Sequence, residues 1–231
     1  MHTKVSKMVS VVVTATIALC TGCSPNPSAT PNSTSPSVDS EAENTVRASA
    51  DAMRKLSSAH ALVLITGKFD RLGPINKVEA DVQAVPLMAN GLVTYDNGTV
   101  APFVFQSGAV SVRLMNEWSY VGSSADFIPS AMIDPGKGLT TLLEHISAVQ
   151  SEGNENIANI ATKKVAGVIS VDQVKAVLPD ASAPAGFTAW IRNGADPVLV
   201  RAVMAISPQQ SFNITLSKWN EPVALTPAPT S

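Results

Sequence analysis

The feature that most constrains the fold is a long series of segments in which apolar and polar residues alternate. Residues 77–84 show it most clearly, because small or branched apolar residues alternate there with Lys, Glu, Asp and Gln. Such a period of two indicates a β-strand with one buried face. Strand-like segments occur at residues 60–66, 77–84, 92–95, 100–105, 110–115, 118–121, 165–169, 187–192, 198–206 and 212–219. We predict eight to eleven strands in an α+β fold, and the short connections favour one large antiparallel sheet. Residues 96–99 (Asp-Asn-Gly-Thr) predict a hairpin with a type I′ turn.

Three amphipathic helices are expected to accompany this sheet. The first begins at Ser40, where residues 40–43 fit a capping box. The second runs from Leu139 to about Ala148, and the third covers residues 171–178. Their apolar stripes are Val46, Ala50, Met53 and Leu56 in the first helix and Leu139, Leu142, Leu143 and Ile146 in the second.

A sheet of about ten strands under a few short helices must twist and curl. Short helices do not easily fill the concave side of such a sheet, which leaves either a thick side-chain core or a cavity. Hydrophobic residues make up 45% of the chain but aromatic residues only 5%, so the apolar content is mainly aliphatic. This aliphatic content favours the cavity, although a GC-rich genome would produce the same bias.

The N-terminus has the form of a bacterial lipoprotein signal. A basic segment, Met1–Lys7, precedes an apolar run, Met8–Leu19, that is too short to span a bilayer. A small residue, Gly22, then stands directly before Cys23, although Cys20 occupies a position where such signals usually have Leu. We predict a signal peptide over residues 1–22, lipidation of Cys23, a Pro/Ser/Thr tether over residues 23–39, a domain over residues 40–226 and a tail over residues 227–231. The alternative is an ordinary secretory signal.

Motifs for catalysis, metal binding or nucleic-acid binding are missing from the sequence. There is no G-x-S-x-G elbow, and the glycine-rich residues 136–138 lack the first glycine of a phosphate-binding loop. His60 and His145 have no partner at metal-ligand spacing, so surface or rim positions are expected for both. The net charge of −2 provides no basic field for nucleic acid. We therefore predict no catalytic residues, no metal and no cofactor.

Five stretches of the domain share a recognisable pattern. They are Val78-Glu79-Ala80-Asp81-Val82 with Pro86-Leu87, Ile133-Asp134-Pro135-Gly136-Lys137-Gly138-Leu139 with Leu142-Leu143, Thr188-Ala189-Trp190-Ile191 with Leu199-Val200-Arg201-Ala202, Ser217-Lys218-Trp219-Asn220-Glu221-Pro222-Val223, and Trp118-Ser119 with Gly122. Together with the lipid-attachment signal and the tether, they resemble the mycobacterial LppX/LprAFG lipoprotein family over residues 44–225. The last of them resembles the LppX branch of that family most.

The resemblance implies a half-open β-barrel, similar to the carrier LolA, with a large hydrophobic cavity beneath its helices. Members bind acylated lipids or glycolipids, such as phthiocerol dimycocerosates, triacylglycerides and lipoglycans, and help to move them across the cell envelope. The implied partners are a long-chain acylated lipid or glycolipid, the membrane through an acylated (palmitate-bearing) Cys23, and a lipid exporter. The implied location is the outer, periplasmic face of the cell membrane, with shedding or cell-wall association as alternatives.

The candidate cavity lining combines the inward face of the second helix with alternating strand residues. These residues are Leu62, Leu64, Val110, Val112, Leu139, Leu142, Leu143, Ile146, Val200 and Met204. Two other classes of function remain open at this point. One is a structural or host-receptor-interacting lipoprotein with a packed barrel, and the other is a hydrolase of cell-wall lipid, for which no motif is present.

Overall fold

The structure is a computed structural model, and it describes residues 39–123 and 138–224. The predicted signal peptide, Cys23, nearly all of the tether and residues 133–137 of the second pattern lie outside these ranges. The helices are α1 (Ser40–Met53), α2 (Leu139–His145) and α3 (Val171–Val177), with a 3-10 turn at Asp70–Leu72. The strands are β1 (Ser58–Thr66), β2 (Ile75–Gln83), β3 (Met88–Tyr95), β4 (Val100–Gln106), β5 (Ala109–Leu114), β6 (Glu117–Ser123), β7 (Ser147–Ile157), β8 (Ile160–Ile169), β9 (Ala185–Arg192), β10 (Leu199–Ser207) and β11 (Gln210–Ser217).

The eleven strands form one curled, open sheet in the order β6-β5-β4-β3-β2-β1-β11-β10-β9-β8-β7. Each neighbouring pair is antiparallel, as predicted, because short turns return the chain beside the strand it has just left. Two of these antiparallel pairs are not joined by a short turn: β8 and β9 are connected through α3, and β1 joins β11 with Leu62 opposite Thr215. The first and last strands of the domain therefore meet in the middle of the sheet and unite its two halves.

All three helices contribute to a hydrophobic core on one face of the sheet. From α1 the core takes Ala42, Val46, Ala50 and Met53, which recur at helical spacing. From β1 it takes Ala61, Val63 and Ile65, every second residue of the strand. The other face of the sheet carries mainly polar and charged side chains between its apolar residues.

The start of α1 is capped by Asp39, so the predicted capping box at Ser40 is wrong. The Asp39 carboxylate accepts hydrogen bonds from the backbone amides of Ala42, at 3.0 Å, and Ser151 of β7, at 2.9 Å. These two bonds lower the pKa of Asp39 below its ordinary value. One side chain therefore both begins the helix and attaches it to the edge of the sheet.

Three local predictions need correction. Strand β7 was not predicted, because its residues are mostly polar and only Val149 of its eleven residues is buried. Helix α2 ends at His145 rather than Ala148, since Ala148 has a φ of 51° and already belongs to β7. The β3–β4 hairpin is present, but its turn is not type I′, because of its central residues only Gly98 has a positive φ, 83°.

The third helix matches its prediction within one residue. Among the described residues, no helix is long and apolar enough to cross a membrane.

Candidate functional site

Most of the predicted lining residues come together in the core between the helices and the sheet. Leu139, Leu142 and Leu143 of α2 are buried there, as are Val110 and Val112 of β5 and Met204 of β10. Ile146, directly after α2, is half-buried and packs against the same cluster.

Two of the predicted lining residues lie on the wrong face of the sheet. Leu62 and Leu64 alternate with the core-facing Ala61, Val63 and Ile65, and Leu64 is 41% exposed. The error has a physical cause: both faces of β1 are apolar, so the sequence does not reveal which set is buried.

Val200 is a different case. It is buried, but it lies at an irregularity in the β9–β10 pairing and outside the main core cluster. A bulge of this kind re-aims side chains relative to simple alternation.

The helical side of this core opens into a groove. A cavity of about 310 Å³ lies between α1, α2 and the start of β7. Its apolar residues are Val46, Ala50, Leu143, Ile146 and Val149. Its polar residues are Glu43, Arg47, Arg54 and Glu144. An apolar floor with a charged border suits a ligand that has an apolar body and a polar end.

The groove keeps its shape through an ion-pair cluster and a glycine. Arg54, at the end of α1, donates to Glu144 of α2 with Nε 2.9 Å from Oε1, and it also pairs with Asp51. Both acids raise the pKa of Arg54, with Asp51 the larger cause. On the sheet side, a Cβ on Gly167 would lie 2.7 Å from Ile146 Cγ1, so only a glycine lets Ile146 pack this closely on β8.

One buried polar group in this region is unsatisfied. Ser49 lies on the same face of α1 as Val46 and Ala50, and it is fully buried. Its hydroxyl has no hydrogen-bond partner among the described residues. A buried hydroxyl without a partner requires an explanation, and one explanation is a polar atom of a ligand. No pattern in the sequence indicates it, because a serine within a helical apolar stripe is ordinarily interpreted as a neutral interruption.

The opposite face of the sheet carries a polar network instead. Trp190 is buried there, beneath the side chains of Arg201 and Lys164, which lie 4.9 Å and 5.3 Å from its ring centroid. The Trp190 indole donates to Glu155 at 2.8 Å. The indole N–H has a hydrogen-bond acceptor and two cations lie against the ring, so Trp190 has a structural role. It has this role on the face of the sheet away from the core.

His60 lies at the surface of that same face, as predicted. Its Nδ1 is 2.8 Å from Asp81 Oδ1, and its Nε2 is 3.6 Å from Glu79 Oε1. His145 is exposed and interacts with the carbonyl of Thr141 in its own helix. Within residues 39–123 and 138–224, no group of three His, Cys, Asp or Glu side chains is arranged to hold a metal ion.

Known proteins of a single family match nearly the whole chain. The model of the LppX_LprAFG lipoprotein family matches residues 41–225. A Mycobacterium tuberculosis protein named "Putative phthiocerol dimycocerosate transporter LppX" is 37% identical over 228 residues, which cover 95% of this chain and 96% of that protein. The lipoarabinomannan carrier protein LprG of Mycolicibacterium hassiacum is 30% identical over 235 residues, covering 98% of each.

Solved structures agree with the fold. The crystal structure of Mycobacterium tuberculosis lipoprotein LppX matches with a TM-score of 0.70 and 36% identity, over 81% of this chain and all of that one. The crystal structure of LprF from Mycobacterium bovis matches with a TM-score of 0.71 at 23% identity, over 83% of this chain and 98% of that one. The latter likeness supports the curled-sheet fold alone.

Proposed function

The chain belongs to the LppX_LprAFG lipoprotein family, and on that premise we propose that it binds an apolar acylated lipid between its helices and its sheet and carries it across the cell envelope. The lipid class we propose is a phthiocerol dimycocerosate-like lipid or a related glycolipid or triacylglyceride. Two relatives support the class, since one is named a phthiocerol dimycocerosate transporter and the other a lipoarabinomannan carrier.

The observation that carries this proposal is the groove between α1, α2 and β7, which has an aliphatic floor and a charged border. Its floor, formed by Val46, Ala50, Leu143, Ile146 and Val149, is aliphatic. Aliphatic walls recognise acyl chains through burial alone, at about 0.8 kcal/mol for each methylene removed from water. A chain of about sixteen carbons would then gain roughly 10 kcal/mol before ordering costs.

A polar contact would fix the position of the lipid within this apolar site. The Ser49 hydroxyl is the candidate donor, because it is buried on the inner face of α1 and lacks a partner among the described residues. An ester carbonyl is a hydrogen-bond acceptor of the kind that acylated lipids carry at the junction of chain and head. In this arrangement the chains enter the core, and the head group stays near the charged border formed by Arg47, Arg54 and Glu144.

The remaining parts of the proposal concern location and partners. We propose that acylation of Cys23 holds the domain at the outer, periplasmic face of the cell membrane, and that residues 23–39 act as its tether. Two or three acyl chains give a durable anchor where a single chain would be marginal. A lipid exporter in the membrane is the donor we expect, since the anchor keeps the domain within reach of it.

The test is to fill the groove and measure lipid uptake. Ala50→Phe introduces a ring into the groove, whereas Ala48→Phe, on an exposed position of the same helix, is the matched control. We expect Ala50→Phe to lose uptake of a fluorescent triacylglyceride while its melting temperature stays close to that of the parent. A packed core would instead lose about 1–3 kcal/mol to overpacking. Destabilisation by that amount, with uptake the same in both variants, would count against the carrier and favour a structural lipoprotein with a packed interior.

A further inference from the structure

The turn of the β5–β6 hairpin exposes an apolar side chain in a backbone conformation that does not suit it. Leu114 pairs with Glu117, which leaves Met115 and Asn116 as a two-residue turn with φ values of 47° and 69°. Turns with both central residues at positive φ prefer glycine, asparagine or aspartate. Met115 is nevertheless 100% exposed, so its side chain gains no packing within the fold.

Two other hairpins in the described residues make a useful comparison. Ser107 and Gly108 form the β4–β5 turn, and Ala158 and Asn159 form the β7–β8 turn, each with both φ values positive. Those turns use small or polar residues. The β5–β6 turn alone among these three carries a large apolar side chain, which indicates a role outside the folded domain.

Further exposed apolar and aromatic residues surround this turn. Leu114, Tyr120 and Val121 are 42%, 67% and 48% exposed. Trp118 lies between the turn and Tyr120, with the Arg113 guanidinium 5.8 Å from its ring centroid. Strand β6 is also an edge of the sheet, so the patch occupies the periphery of the domain. An apolar end followed by Trp and Tyr is the arrangement that proteins present to a membrane interface.

We propose that this hairpin end, comprising Leu114, Met115, Trp118, Tyr120 and Val121, docks on a lipid bilayer. In this arrangement Leu114 and Met115 enter the acyl-chain boundary, while Trp118 and Tyr120 lie at the level of the head groups. The hairpin carries one cation, Arg113, and one acid, Glu117, so its binding should depend on apolar burial more than on lipid charge.

The N-terminal segment makes a bilayer the appropriate partner. Asp39 lies sixteen positions after Cys23, and the fully extended chain between them spans at most about 55 Å. With an acylated Cys23, the domain would always lie within that distance of a membrane, so even a weak apolar contact would be occupied. The docking itself requires neither the anchor nor a bound lipid, and it can fail without affecting the proposed carrier function.

The test uses the fluorescence of Trp118. The processed protein is purified from membranes and returned to phosphatidylcholine vesicles. Its tryptophan fluorescence is compared between vesicles of ordinary lipid and vesicles of lipid with brominated acyl chains, which quench tryptophan on contact. We expect quenching of the parent protein and its loss in Trp118→Phe, because the remaining tryptophans, Trp190 and Trp219, lie outside the hairpin end.

Matched charge variants locate the contact. Met115→Asp should lose the quenching and keep the parent melting temperature, since aspartate tolerates a positive φ. Val85→Asp, at an 84% exposed valine in the turn at the opposite end of the sheet, should keep the quenching. Equal quenching in Met115→Asp and the parent would overturn the proposal. It would also be overturned by a Trp118 emission shift that depends on protein concentration without vesicles, since that result indicates self-association.

Discussion

Replacing Ser49 by alanine should change two properties in opposite directions. In the lipid-free protein the buried Ser49 hydroxyl has no partner among the described residues, and such a group costs about 1–3 kcal/mol of stability. Alanine also favours a helix interior over serine by roughly 0.5 kcal/mol. We therefore expect Ser49→Ala to raise the free energy of unfolding of the delipidated protein by about 1 kcal/mol.

The same change should weaken lipid binding. If an ester carbonyl accepts a hydrogen bond from Ser49, losing that bond removes about 1 kcal/mol of binding free energy. That energy corresponds to roughly a fivefold rise in the Kd for an ester lipid. A lipid of the same chain length with an ether in place of the ester should bind the parent and Ser49→Ala more nearly equally.

Ser58 provides the matched control for this experiment. It is also a buried serine, but its hydroxyl donates to the backbone carbonyl of Glu221 at 2.5 Å. Ser58→Ala leaves that carbonyl unpaired and should lower the free energy of unfolding by about 1–2 kcal/mol without changing the Kd.

Denaturant unfolding of delipidated protein and titration with a fluorescent ester lipid measure the two quantities. If Ser49→Ala destabilises the protein as Ser58→Ala does, the Ser49 hydroxyl has a partner of its own, and the reasoning is wrong. An unchanged Kd would separately show that Ser49 does not meet the lipid.

Three further predictions concern the anchor, the helix cap and the core. Cys23→Ala should yield an unprocessed precursor or a soluble, shed product, and unchanged detergent partitioning would refute lipidation at Cys23. The lowered pKa of Asp39 means that its contribution to stability is complete above its ordinary value of 3.8 and is lost as the pH falls below it. Thermal melts of Asp39→Asn should therefore show a smaller loss of stability than the parent as the pH falls through 3.8; parallel melting curves would contradict this. Val112→Trp should reduce lipid uptake with little change in melting temperature if a cavity adjoins β5, whereas a drop of about 1–3 kcal/mol in stability would indicate a packed core there.

The architecture could be predicted from the sequence because alternation and turn spacing are local signals. Strands such as β2 expose one face to water, so their period of two is visible in the residues themselves. The same reasoning failed for β7, where only Val149 is buried and both faces are largely polar. An edge strand of this kind is held by its backbone pairing with β8, which leaves no pattern in the side chains.

The candidate site could be predicted only in part. The stripe of α2 identified Leu139, Leu142 and Leu143, because a short helix on a sheet must bury its apolar face. The direction of the β1 side chains could not be predicted, since Leu62 and Leu64 are as apolar as the residues between them. The choice depends on which face of the sheet α1 covers, and that is a property of the tertiary fold.

The groove itself was beyond the reach of the sequence for a related reason. It is formed by residues from α1, α2 and β7, which are separated by about a hundred positions in the chain. The contact between Arg54 and Glu144 that joins two of these elements involves ordinary surface charges, and nothing in their local sequence marks them as partners.

The most direct test of the central claim is to determine what the protein carries when it is purified from its native host. Native mass spectrometry of the intact protein, followed by organic extraction, would give the mass and the chemical class of any bound molecule. The carrier account predicts a stoichiometric, apolar, multiply acylated lipid that is absent from the Ala50→Phe variant and present in Ala48→Phe. A lipid-free parent protein that also takes up no added lipid would contradict it.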